Sequence, residues 1–201
     1  MNWGSIVSAV VGAVIGGIFL LFGQRYIVRE NHEKAKRIIL LESLRNIESL
    51  IENVKIIEQN KNPMGPQVIL NVKIDAFLRY EEDLMSKRLD EFQEISELIG
   101  KVQVAKLKTQ WWMPRMNIPE GAPVESKKTL HELIVTCIKL ITILSKRVRN
   151  PELKKIRKTE LIAAAQEGLK ALENSQQSFM LVPPYEEWPY PMKFPTNQEL
   201  F

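Results

Sequence analysis

Residues 4–23 read GSIVSAVVGAVIGGIFLLFG, twenty positions without one charged side chain, and the chain then turns basic at Arg25, Arg29, Lys34, Lys36 and Arg37. At a helical rise of ~1.5 Å per residue the run is ~30 Å long, the hydrocarbon thickness of a bilayer. It predicts a retained membrane-spanning helix over residues 1–23. A cleaved secretory leader fits less well, because no Lys or Arg precedes the apolar core and the core is longer than a leader's. Trp3 before the run and Tyr26 after it stand where amphipathic rings favour the headgroup level, with Arg25 and Arg29 beside them. All the nearby cations follow the span. The positive-inside rule therefore puts the bulk of the chain in the cytoplasm and a short amino terminus outside the cell membrane.

The span also holds two rows of small residues at a spacing of four, Ser8, Gly12, Gly16 and Ala9, Ala13, Gly17. A second helix can approach closely along such rows in lipid, so a homo-oligomer is one expectation besides contact with the lipid bilayer itself. A monomeric anchor accounts for the same residues, since Gly and Ala are frequent in spanning helices.

Beyond the span the apolar pattern is helical, and the expected fold class is all-α. Leu40, Leu44, Ile47, Ile51, Val54 and Ile57 recur every three or four residues and continue the anchor as one helix. Asn60, Asn62, Pro63, Gly65 and Pro66 end it. A second long helix is expected over residues 67–110, using Val72, Ala76, Tyr80, Met85, Leu89, Phe92, Ile95, Ile99 and Val102. No alternating strand pattern is assigned. A third helix opens at Ser126 as its cap, carries Leu130, Leu133, Cys137, Leu140, Leu144 and Val148, and ends at Asn150-Pro151. A fourth starts near Pro151 and uses Leu153, Ile156, Leu161, Ala165, Leu169 and Leu172. Residues 24–178 are thus expected to form an antiparallel bundle of about four long helices. Residues 179–201 hold Pro183, Pro184, Pro189, Pro191 and Pro195 among Tyr185, Trp188, Tyr190 and Phe194, and read as an extended tail strapped along the bundle.

Charge is unevenly shared. Residues 79–97 carry seven acids against three bases, and residues 127–158 carry ten bases against two acids. The basic excess at Lys146, Arg147, Arg149, Lys154, Lys155, Arg157 and Lys158 is a candidate patch for an anion or a partner. Straight antiparallel helices would act as a ruler. Helix one would reach ~55 to 60 Å above the membrane, and helix two would return to lipid level and bring Trp111 and Trp112 to the interface. The patch would then stand ~35 Å from lipid, several Debye lengths away, with an acidic protein or nucleic acid as its expected ligand.

Catalytic patterns are sparse. His131-Glu132 has Val135 where a zinc-binding H-E-x-x-H needs histidine, and Glu30, His32 and Glu33 read as solvated charges beside the membrane. There is no phosphate loop, no cysteine pair and no G-x-S-x-G elbow. Cys137, in an apolar stripe, reads as a small core residue. No cofactor, metal or small-molecule substrate is expected. Three function classes follow, in decreasing order of support: a non-enzymatic membrane-anchored scaffold or regulatory module holding a protein partner, a membrane-tethered nucleic-acid or anion binder, and an oligomer that perturbs the membrane.

Overall fold

The computed structural model describes residues 3–60, 67–85, 89–112, 122–147 and 156–184, with side chains placed over 11–60, 67–85, 90–109, 124–146 and 158–184. Most of the described residues are helical. The elements are α1 (Trp3–Gln59), β1 (Gln67–Ile69), α2 (Asp75–Met85), α3 (Leu89–Trp112), α4 (Ala122–Arg147), α5 (Ile156–Asn174) and β2 (Met180–Val182).

α1 is one helix of 57 residues, so the apolar run and the first amphipathic stripe share a single axis of ~85 Å. Its two parts differ in what they touch. Every residue over 11–31 is exposed, whereas Ala35, Ile39, Leu40, Leu44, Ile47, Leu50, Ile51, Val54 and Ile57 are buried. The stripe expected from sequence is therefore the spine of the core. α4 packs on α1, α3 and α5, and α1 also meets α2 and α5.

The long helix expected over 67–110 is replaced by a strand and two helices. Burial over 67–74 alternates without a break, with Val68, Leu70, Val72 and Ile74 inside and Gln67, Ile69, Asn71 and Lys73 outside. That is period-two geometry in a stretch rich in β-branched residues, and it overrides the helical spacing of Val72 and Ala76. Two buried asparagines of α1 make the extended backbone tenable. Asn46 Nδ2 donates to the Lys73 carbonyl at 2.7 Å while its Oδ1 accepts from the Lys73 N–H at 2.9 Å, and Asn53 Nδ2 donates to the Ile69 carbonyl at 3.1 Å. Backbone groups that a lone strand would leave unpaired are thereby satisfied by side chains.

β1 also pairs in parallel with β2, with Gln67 opposite Met180 and Ile69 opposite Val182, and the Leu70 N–H continues the ladder to the Val182 carbonyl at 2.7 Å. Phe179 and Leu181 are buried in the same core as α1. The start of the expected tail is therefore part of the packed body, and residues 185–201 lie outside the described residues. Ser126 does not cap α4, which begins at Ala122. Pro123 sits in its first turn, where a missing N–H costs nothing, and Ser126 Oγ instead accepts from the Leu181 N–H at 3.2 Å.

α2 begins against a carboxylate from α1. The Ala76 N–H lies 3.2 and 3.0 Å from the two Glu42 oxygens, an acid placed at a helix N-terminus. Burial pushes the Glu42 carboxyl above its ordinary range despite those N–H contacts. A raised acid favours the protonated folded state, so its stabilisation is present at low pH and is lost as pH rises through the raised value. Glu42→Gln retains an acceptor for Ala76 without a charge to bury. Its stability relative to the unaltered chain should rise between about pH 4 and 7 in urea unfolding, and a pH-independent difference would refute the assignment.

Side-chain contacts fix the direction of travel. Asn53, Asn46 and Glu42 meet residues 69, 73 and 76 in turn, so the chain first runs back toward the span. There Lys36 Nζ pairs with Glu91 Oε1 at 2.7 Å, and α3 departs from that level. Its other end touches β2, ~25 Å further along α1 at the level of Asn53. α4 descends from Ser126 beside β2, and α5 rises again, its Gly168 Cβ position 3.8 Å from Val54.

Candidate functional site

Two regions qualify. The first is the groove between α3 and α4, of about 770 Å³, with Val104, Ala105, Leu133 and Val135 forming apolar walls and Lys101, Lys108, His131 and Lys139 among the polar lining. Val104 and Leu107 remain about half exposed. The groove continues past Glu94, Leu98, Ile138, Thr142 and Ile143 toward the end of α3 that holds Glu91. Two of its polar groups pair with each other and a third reaches α5. Lys101 Nζ donates to Glu97 at 2.8 Å, which holds the Glu97 carboxyl below its ordinary range. His131 Nε2 lies 3.2 Å from Glu173 Oε1, and Lys127 Nζ donates to the carbonyls of Glu173 and Ser175 at 3.1 and 2.8 Å, where a cation suits the end of α5. Among the described residues no group of three His, Cys, Asp or Glu side chains is placed to hold a metal ion. Cys137 is buried, and burial pushes its thiol up to about 12. The groove offers an apolar floor with a mixed-charge rim.

The second region is where α1 leaves the body. Arg25, Tyr26 and Arg29 are exposed, as are Lys34 and Arg37, and a concavity of about 530 Å³ runs along Tyr26, Arg29, Glu30, Glu33, Lys34 and Arg37. Immediately above it sits a buried polar cluster; of Glu30, His32 and Glu33, expected to be solvated, Glu30 is exposed and His32 is buried in this cluster. His32 is 2 % exposed, Lys36 3 % and Glu91 5 %. His32 Nδ1 lies 3.0 Å from the Asp83 carbonyl, and because a carbonyl only accepts, that nitrogen carries the proton. The only sequence signal was spacing, since Lys36 falls one turn before Leu40 on the buried stripe.

The residues singled out from sequence fall in three places. Gly12, Ala13, Gly16 and Gly17 are exposed on α1, and a Cβ at Gly12, Gly16 or Gly17 would meet nothing within 4 Å. Trp3, Ser8 and Ala9 belong to α1, and Trp111 and Trp112 end α3, with side chains outside the described set. α3 carries Trp111 and Trp112 away from the Lys36 level, so the single returning helix that put them at lipid level does not occur. Lys146 is exposed in the last turn of α4, and Lys158, in the first turn of α5, donates to Ser145 Oγ. Arg147 ends α4 and Arg157 opens α5, with side chains not described; Arg149, Lys154 and Lys155 lie outside the described residues. The patch thus begins and ends at helix termini one turn beyond Thr142, at the span-proximal end. Sequence reasoning had it at the far end.

Comparison of the chain with protein-family models, with curated proteins and with solved structures finds no match.

Proposed function

We propose that this protein is a membrane-anchored, non-enzymatic scaffold or regulatory module, with residues 1–23 crossing the cell membrane once and residues 24–178 forming a cytoplasmic bundle that holds a protein partner. One observation carries this reading. An uncharged helix, exposed at every residue from Val11 to Phe22, runs without a break into the spine of a packed core. A contiguous apolar surface including Phe19, Leu20, Leu21 and Phe22, each more than 60 % exposed, is unfavourable in water and favourable in lipid. That α1 segment is long and apolar enough to cross a membrane. Arg25, Arg29, Lys34 and Arg37 on its distal side favour the cytoplasmic orientation. Residues 179–201 act as a strap, a role supported by the pairing of β2 with β1.

The α3–α4 groove is the surface offered to the partner. A photo-crosslinking residue at Val104, in membranes carrying the full chain, should capture one discrete protein, and Val135→Asp, within the groove, should abolish the capture. Labelling no different from that of a crosslinker at Glu160, outside the groove, would count against the scaffold reading.

A further inference from the structure

We infer that the span-proximal end of the helical body is a docking surface for anionic lipid headgroups, formed by Arg29, Lys34 and Arg37 of α1 together with Lys146 of α4; this rests on the membrane-anchored reading above. Two chain segments far apart in sequence converge there. Lys36 pairs with Glu91 at the start of α3, and Glu94 and Leu98, the next turns of α3, line one groove with Thr142 and Ile143 of α4. Lys146, one turn further along α4, therefore lies at the level of Lys36. It is exposed, as are Arg29, Lys34 and Arg37.

Three acids of this end, Glu81, Glu82 and Asp83, belong to α2 on another flank. Asn46 and Asn53 mark the side of α1 that faces residues 69–73, the segment leading into α2 with Glu81, Glu82 and Asp83. At 3.6 residues per turn, Arg29, Lys34 and Arg37 fall about 100° or more round α1 from Asn53. On α1 itself Glu30 and Glu33 share the concavity with these cations, and Asp90 and Glu94 belong to α3. The cationic side is thus turned away from the acidic α2.

Reach is the deciding quantity. Arg37 is ~21 Å beyond Gly23 along the axis, and the headgroup layer fills the first ~6 Å. The remaining ~15 Å is about two Debye lengths at physiological salt, too far for attraction with α1 upright. A tilt of ~20° toward the basic flank lowers Arg37 by only ~3 to 4 Å, whereas ~40°, the upper end for a spanning helix, lowers it by ~9 Å, and the long Arg side chain spans the rest. An anionic leaflet should then hold the body tilted, each cation shifting the docked equilibrium about fivefold.

The test uses the full chain with Glu160→Cys, an exposed position in the first turn of α5, labelled with bimane and reconstituted in vesicles containing headgroup-nitroxide lipid. Quenching should be strong with phosphatidylserine, weak with phosphatidylcholine alone, and reduced by added salt. Arg29→Gln, Lys34→Gln, Arg37→Gln and Lys146→Gln combined should abolish the difference while leaving the melting temperature unchanged. Protein that stays inserted after carbonate extraction but is quenched equally in both lipids overturns the docking surface alone. Release by carbonate overturns the anchored reading and docking with it. Salt-sensitive nucleic-acid retention by the detergent-solubilised chain, without lipid-dependent quenching, would reassign the surface to phosphodiester backbones.

Discussion

Lys36→Met should destabilise the helical body by about 3 to 5 kcal/mol, the usual result of leaving a buried charge without its partner. Lys36 and Glu91 side chains are each 3 % exposed and 2.7 Å apart, so Lys36→Met would take the ammonium at 2.7 Å away from a buried carboxylate. Glu91→Leu alone should cost a similar amount for the mirrored reason. The double variant, Lys36→Met with Glu91→Leu, should lie within about 1 to 2 kcal/mol of the unaltered protein or above it, because apolar replacements of similar volume often match or exceed a buried pair. Chemical unfolding of all four proteins closes the cycle. Additive losses in the double variant would mean that the two side chains do not act as a pair. A stability no lower in Lys36→Met would mean that the site is wet.

The same pair explains why the path of the chain was hard to foresee. The helical stripe of α1 was legible because Leu40, Leu44, Ile47, Ile51, Val54 and Ile57 repeat at one period over many turns, and all six are buried. Residues 67–74 alternate cleanly in burial, but in sequence Ile69 between Val68 and Leu70 breaks the period of two. Val72 and Ala76 fit both periods, which allowed the helix to be drawn through the strand. What decides the strand is the clasp from Asn46 and Asn53, polar residues that in sequence are ordinary members of an amphipathic helix. Removing the first turns of the supposed helix, and opening a new one at Leu89, sends α3 outward and not back. Every later element then reverses its direction relative to the span. The level of Lys146 and Lys158 depends on the count of reversals, which the amphipathic pattern does not encode. The α3–α4 groove had no sequence signature either, since Val104 lies outside the stripe of Ile95, Ile99 and Val102 expected for that helix.

Val14→Arg combined with Ile18→Arg should move the protein from the integral-membrane fraction to the extractable one. A central arginine carries an apparent insertion cost of ~2.5 to 3.5 kcal/mol, and the apolar residue it replaces contributes a few tenths of a kcal/mol in the other direction, so the pair costs ~6 to 8 kcal/mol. The two positions lie one turn apart and are 56 % and 47 % exposed, so neither arginine has a protein surface to hide against. The one at position 14 is too deep to reach water easily, whereas the one at 18, ~7.5 Å from Gly23, partly snorkels, so ~6 to 8 kcal/mol is an upper bound. The helical body should not notice. Residues 11–31 are all exposed, and surface substitutions away from packing contacts usually stay within ±0.5 kcal/mol, so the melting transition of the detergent-solubilised variant should be unchanged. Leu41→Arg with Ile56→Arg supplies the control, because those side chains are exposed to a similar degree, 40 % and 47 %, on the part of α1 that lies within the body. That control should remain integral. Should the Val14 and Ile18 variant resist carbonate extraction as firmly as the control, the exposed apolar length of α1 would not be what holds this protein in the bilayer. If it instead loses its melting transition, the outward-facing half of α1 must be packed against something in the folded protein.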